Sequence, residues 1–126
     1  MLASLPTIYS LFLILNSLIV PSTIEWTTPT SHDFGLIQSG VEVKHVFTFR
    51  NLSNASLIID NVRTDCSCTA SDWDIEPIAP NDIGKITVEY DAKKKGYFKK
   101  RLTVWLHGQK QAEKLMIEGE VMMNDE

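Results

Sequence analysis

The segment Thr64-Asp65-Cys66-Ser67-Cys68-Thr69 holds both cysteines of this 126-residue chain, one residue apart. Thiols at that spacing support three kinds of chemistry. They can be small, partly buried packing residues or close a structural bridge. They can act as a redox dithiol, a use favoured in an exported protein. Their thiolates can also select a soft ion, Cu(I) before others. In a straight strand, residues i and i+2 share a face about 6.6 Å apart. A disulfide needs Cβ atoms about 3.8 Å apart, so a flat strand presents two adjacent thiols and bridging them needs a kink. Asp65 counts against a reactive thiolate, because a carboxylate disfavours a second negative charge beside it. On the residues alone all three uses stay open.

Other ligands are sparse. A structural zinc site wants four donors, and only His32, His45 and His107 could complete one with the cysteines. Each of these is more often an ordinary strand histidine. Met116, Met122 and Met123 could serve copper as thioethers, although methionines near a strand end are usually packing or tail. No hydrolase triad, phosphate loop or carboxylate pair stands anywhere in the sequence. We therefore expect no enzyme, and no cofactor other than Cu(I) under the metal reading.

A second feature is electrostatic. Lys93-Lys94-Lys95 and Lys99-Lys100-Arg101 place six of the 12 Lys and Arg residues within nine positions. Such a cluster suits an anionic partner, such as lipid head groups or a polysaccharide. It equally suits a solvated hairpin tip whose charges block edge pairing. Trp105, with Tyr97 on the same strand face, extends the candidate contact patch, since aromatics anchor interfaces; an outer-face aromatic also serves as a cross-strand partner. The formal net charge of −4 argues against nucleic acid, which wants a basic surface.

The elements that must position these residues are strands. From His32 onward the pattern has period two almost throughout. A short strand covers His32 to Ile37. Val41 to Arg50 follows, with Val41, Val43, Phe47 and Phe49 on one face. His45 and Val46 break the polarity of that pattern and predict a bulge or an exposed strand end. Ala55 to Val62 puts Leu57 and Ile59 inward, and Gly84 to Tyr90 does the same with Ile86, Val88 and Tyr90. Tyr97 to His107 is the longest, with Phe98, Leu102, Val104 and Leu106 inward. Glu113 to Val121 closes the set with Leu115, Ile117 and Val121. The stretch from Ser71 through Pro80 reads as a proline-rich connection. About seven short strands with no amphipathic helix predict an all-β, antiparallel β-sandwich over residues 32–121.

Outside it, residues 23–31 read as a linker and 122–126 as a frayed tail. Residues 1–22 carry no charged side chain, and Ile8 to Val20 is a nearly continuous apolar run. That run is short of the ~20 residues of a membrane span and matches the apolar region of a secretory signal. Val20 and Ser22 suit the −3 and −1 positions, so a mature chain would begin near Thr23. No Lys or Arg precedes the run. A short hydrophobic anchor is the alternative, and would give membrane contact through this segment alone.

The chain resembles a bacterial family, the domain of unknown function 1573. The resemblance lies in Asp33-Phe34-Gly35, in Phe47-Thr48-Phe49-Arg50-Asn51, and in Cys66-Ser67-Cys68-Thr69. It continues with Pro80 to Gly84 before Ile86-Thr87-Val88, and with Gly96-Tyr97-Phe98. It spans roughly Ser31 to Val121. It implies an immunoglobulin-like sandwich, related to domains of major sperm protein and of cilium-associated proteins, in an exported protein of the periplasm or cell envelope. Two departures stand out: Ser67 replaces the usual glycine, and no lipid-attachment cysteine follows the apolar run. The family has no established activity. The expectation is a non-enzymatic binding or structural module that meets another envelope protein or an anionic surface polymer. The alternative is a thiol-based redox or Cu(I) protein using Cys66 and Cys68.

Overall fold

A computed structural model describes residues 23–123 of the chain. The proposed signal or anchor segment 1–22, and the last three residues, lie outside the described residues. Eight strands form: β1 (Ile24–Trp26), β2 (Ser31–Gln38), β3 (Val43–Asn51), β4 (Ile59–Thr64), β5 (Thr69–Trp73), β6 (Ile83–Tyr90), β7 (Gly96–Leu106) and β8 (Glu113–Met122). They make two four-stranded sheets, in the orders β1-β3-β6-β5 and β2-β8-β7-β4. No helix is found among the described residues. The fold is an immunoglobulin-like sandwich.

The period-two pattern explains the core. Phe47, Phe49, Ile86, Val88 and Tyr90 point inward from the first sheet and meet Phe98, Leu102, Val104, Leu115 and Ile117 from the second. Tyr90 stacks on Phe98 with ring centroids 3.9 Å apart, joining the sheets near one end. Trp26 packs edge-on against Phe49 at 5.4 Å and donates its indole N–H to Glu113 Oε1 at 3.0 Å.

Several expectations need correction. The stretch 23–31 is not a plain linker, because Ile24 is buried and β1 pairs antiparallel with the end of β3. A three-residue strand is too short to show a period. Met122 ends β8 rather than starting a tail. The sheets are not wholly antiparallel: β2 runs parallel to β8. No bulge occurs at His45 and Val46, where β3 and β6 stay in register from Val43 to Arg50. Val41 lies before β3 and is exposed. Leu57 makes an isolated bridge to Ile78, and β4 begins only at Ile59. The supposed connection after the cysteines contains β5.

The bulge lies instead at Asp33-Phe34-Gly35. There the β2–β8 register shifts, Gly35 adopts φ +70°, and its N–H reaches Asp33 Oδ1 at 2.8 Å. Across it, a Cβ on Gly119 would meet the Phe98 ring at 2.9 Å and the Gly35 carbonyl at 3.1 Å.

Asn51, at the end of the Phe-x-Phe-x-Asn stretch, is fully buried. Its Nδ2 donates to the carbonyls of Ala55 (2.9 Å) and Ile78 (2.8 Å). Its Oδ1 accepts from the N–H and the hydroxyl of Ser53. One side chain thus holds the turn after β3 and the proline-rich connection together. We expect Asn51→Ala to cost ~2–4 kcal/mol in urea denaturation, from several lost hydrogen bonds and a small cavity.

Candidate functional site

The cysteines lie where the chain changes sheets. β4 is the edge of the second sheet and β5 the edge of the first, so residues 65–68 form a crossover at one corner. That crossover supplies the kink a flat strand lacks. Cys66 and Cys68 are joined in a disulfide with Cα atoms 5.3 Å apart, well inside the range a bridge accepts. Both are half-buried, and Cys68 packs against the core.

Hydrogen bonds tie this loop down on every side. The Thr64 hydroxyl donates to the carbonyls of Cys66 and Thr69 at 3.2 Å each. Cys68 O accepts from the Asp91 N–H at 3.0 Å. Asp65 Oδ2 accepts from the Arg101 N–H at 3.0 Å, extending the β4–β7 pairing by one side chain. The buried Thr69 hydroxyl lies 3.8 Å from each sulfur. While the bridge is closed, thiolate chemistry toward copper or another disulfide requires its reduction first.

The candidate metal donors do not gather round it. Among the described residues no group of three or more His, Cys, Asp or Glu is arranged to hold a metal. His107 pairs with Asp60 at 3.3 Å. Met116 lines a shallow groove on the outer face of the second sheet with Asp65, Lys99 and Arg101.

The predicted contact patch divides into three parts. Lys93, Lys94 and Lys95 are exposed on the loop between β6 and β7, beside the disulfide corner. Lys99 and Arg101 point outward from β7, opposite Glu118 and Met116 of β8. Trp105 lies four residues beyond Arg101, about 13 Å along the strand, and is 40% exposed. Tyr97 donates to Glu118 Oε2 at 2.7 Å, a bond that raises the pKa of its hydroxyl above the ordinary phenol value.

Sequence reasoning passed over one pairing. His32 of β2 and His45 of β3 stack with centroids 3.7 Å apart and planes 9° from parallel. Phe34 and Phe47 lie edge-on around them. His45 thus kept its inward parity, and its imidazole closes the core between the two sheets. Its pKa is lowered from 6.5, first by burial and then by the charge of His32.

With the geometry in place, the fold is that of the immunoglobulin-like β-sandwiches. The human CEP192 ASH/PapD-like domain superposes with a TM-score of 0.69 at 10% identity, over 86% of this chain and 95% of that domain. The chaperone YadV gives 0.55 at 11% identity, over 79% of this chain and 52% of that one. A protein of unknown function from Porphyromonas gingivalis W83 gives 0.67 at 17% identity, over 79% of this chain. The chain spans 46% of the length of that protein. No curated protein sequence matches. Residues 24–121 match the family described as protein of unknown function (DUF1573), and the chain belongs to that family.

Two outcomes follow from the site. Closing a three-residue loop removes little chain entropy, so Cys66→Ser with Cys68→Ser should cost roughly 1.5 kcal/mol in urea denaturation while the fold persists. For His45, the folded state holds fewer protons than the unfolded chain below its ordinary value of 6.5. Its contribution is therefore full above that pH and lost as pH falls from there through the lowered value of the folded state. His45→Phe should flatten this acid-side loss of stability when denaturation is compared at about pH 8 and pH 5.

Proposed function

We propose that this chain is an exported, non-enzymatic binding or structural module of the cell envelope, and that its partner is another envelope protein. The observation that carries the reading is the Cys66–Cys68 bridge. A sandwich of ~100 residues buries enough apolar surface to stand without a staple, and a three-residue loop adds little to it. Disulfides persist where the surroundings are oxidising. The uncharged apolar run from Ile8 to Val20 supplies the matching address. The fold lends itself to binding, because its two-sheet core leaves loops and strand edges at the surface to meet partners.

A second class of partner, an anionic surface polymer, is favoured by one feature. Lys93, Lys94 and Lys95 are exposed, and the ion pairs among the described residues involve other side chains, Lys44 with Glu89 and Asp60 with His107.

Intact mass of the native chain recovered from cell fractions, with and without thiol alkylation, tests the export reading. A chain beginning near Thr23 in the envelope fraction, resistant to alkylation until reduced, is the expected result. Cytoplasmic protein carrying Met1 and two freely alkylated thiols would contradict it.

A further inference from the structure

Sheet edges are where this sandwich offers backbone to a partner, and they are not treated alike. On β5, the Thr69 carbonyl accepts from Thr64, and the Trp73 N–H is taken by Asp72 Oδ1 at 3.0 Å. On β4, the register shifts between Ile59 and Asn61, and Asn61 Oδ1 takes the Val62 N–H at 2.9 Å. On β2, the bulge after Asp33 interrupts the strand, and Asp33 takes the Gly35 N–H. Bulges and side-chain caps of this kind obstruct pairing with another strand.

The edge of β3 has no such obstruction. Residues Glu25 and Thr27 face Arg50 and Thr48, with Thr27 N–H donating to Thr48 O at 2.9 Å. Thr28 Oγ1 accepts the Thr48 N–H at 3.1 Å. The even-numbered residues of β3 thus direct their backbone groups away from β6. By the same alternation, Lys44 and Val46 present their N–H and C=O groups on that side, past the point where β1 and Thr28 stop. The strand there is regular. Val46 and Val41 are exposed, and the half-buried Val43, His45, Phe34 and His32 line its inner side.

We propose that the β3 edge from Val43 to Phe47 is a strand-addition site that takes an extended segment of a partner protein, antiparallel to β3 and in line with β1. This rests on the reading of the chain as a binding module. β1 itself demonstrates that this edge accepts an antiparallel strand. The backbone groups of Lys44 and Val46 demand extended backbone opposite them, and the lining favours an apolar residue facing inward. A second copy fits poorly. The two-fold pairing of Lys44 with Val46 sets Glu42 against Thr48, and the one centred on Val46 sets Lys44 against Thr48, whose groups Thr27 and Thr28 already hold. The one centred on Lys44 sets two like charges directly opposite.

The test uses fluorescent eight-residue peptides of alternating Val and Thr, titrated onto the full sandwich. Val46→Pro removes only the outward donor, so the β3–β6 pairing is kept. Val46→Lys keeps the donor and adds a charge that resists edge pairing. Ser71→Pro on the β5 edge is the control. The proposal expects saturable binding that falls at least tenfold in both Val46 variants and is unchanged in Ser71→Pro, with melting curves verifying that each variant folds. Absence of binding, equal binding by the Val46 variants, or peptide-free dimerisation lost on Val46→Pro would overturn it. Such a failure leaves the export reading to stand or fall on its own fractionation result.

Discussion

A β-sheet edge leaves a row of backbone donors and acceptors that must be paired, capped or left to water, and this constraint organises the molecule. The sandwich has two sheets and hence an edge at each side of both. Two of its sheet-to-sheet crossovers join edge strand to edge strand. The chain passes from β1 to β2 on one side, and from β4 to β5 through Cys66 and Cys68 on the other. The devices that look separate in the sequence, two bulges, three Asx side chains and a disulfide loop, dispose of edge groups in closely related ways.

The core is assembled so that the edges hold still. Tyr90 on Phe98 clamps the sheets near the disulfide corner. Asn51 fixes the opposite end by holding two loops through its buried amide. On the side of β2 and β3 the closure is made by stacked imidazoles rather than aliphatic side chains. Burial lowers the pKa of His45, so the neutral ring is the form that packs well. The histidine pair thus lies under the β3 edge that carries no side-chain cap.

Much of this was legible in the sequence. Along β7 the alternation placed Phe98, Leu102, Val104 and Leu106 inward, and all are buried. β1 escaped notice because Ile-Glu-Trp is too short to show a period, and β5 because its inward residues, Thr69, Ser71 and Trp73, are mostly polar. The parallel pairing of β2 with β8 leaves no trace in a period-two pattern, which carries parity and not direction. The disulfide could not be read from a straight strand, since the crossover that bends it is a property of the topology. At His45 the polarity break was visible but its cause was not: the ring finds a partner in His32 across the sheets.

The edge caps were readable only in hindsight, as Asn61 and Asp72 each precede the residue whose N–H they take. What sets β3 apart is the absence of such a neighbour from Lys44 to Val46. Hydrogen exchange of backbone amides in the free, native protein addresses this most directly. The account predicts that Lys44 and Val46 exchange far faster than His45 and Phe47, their neighbours in the β3–β6 ladder. Uniform protection from Val43 to Phe47 would mean that the edge is already covered, and would contradict it.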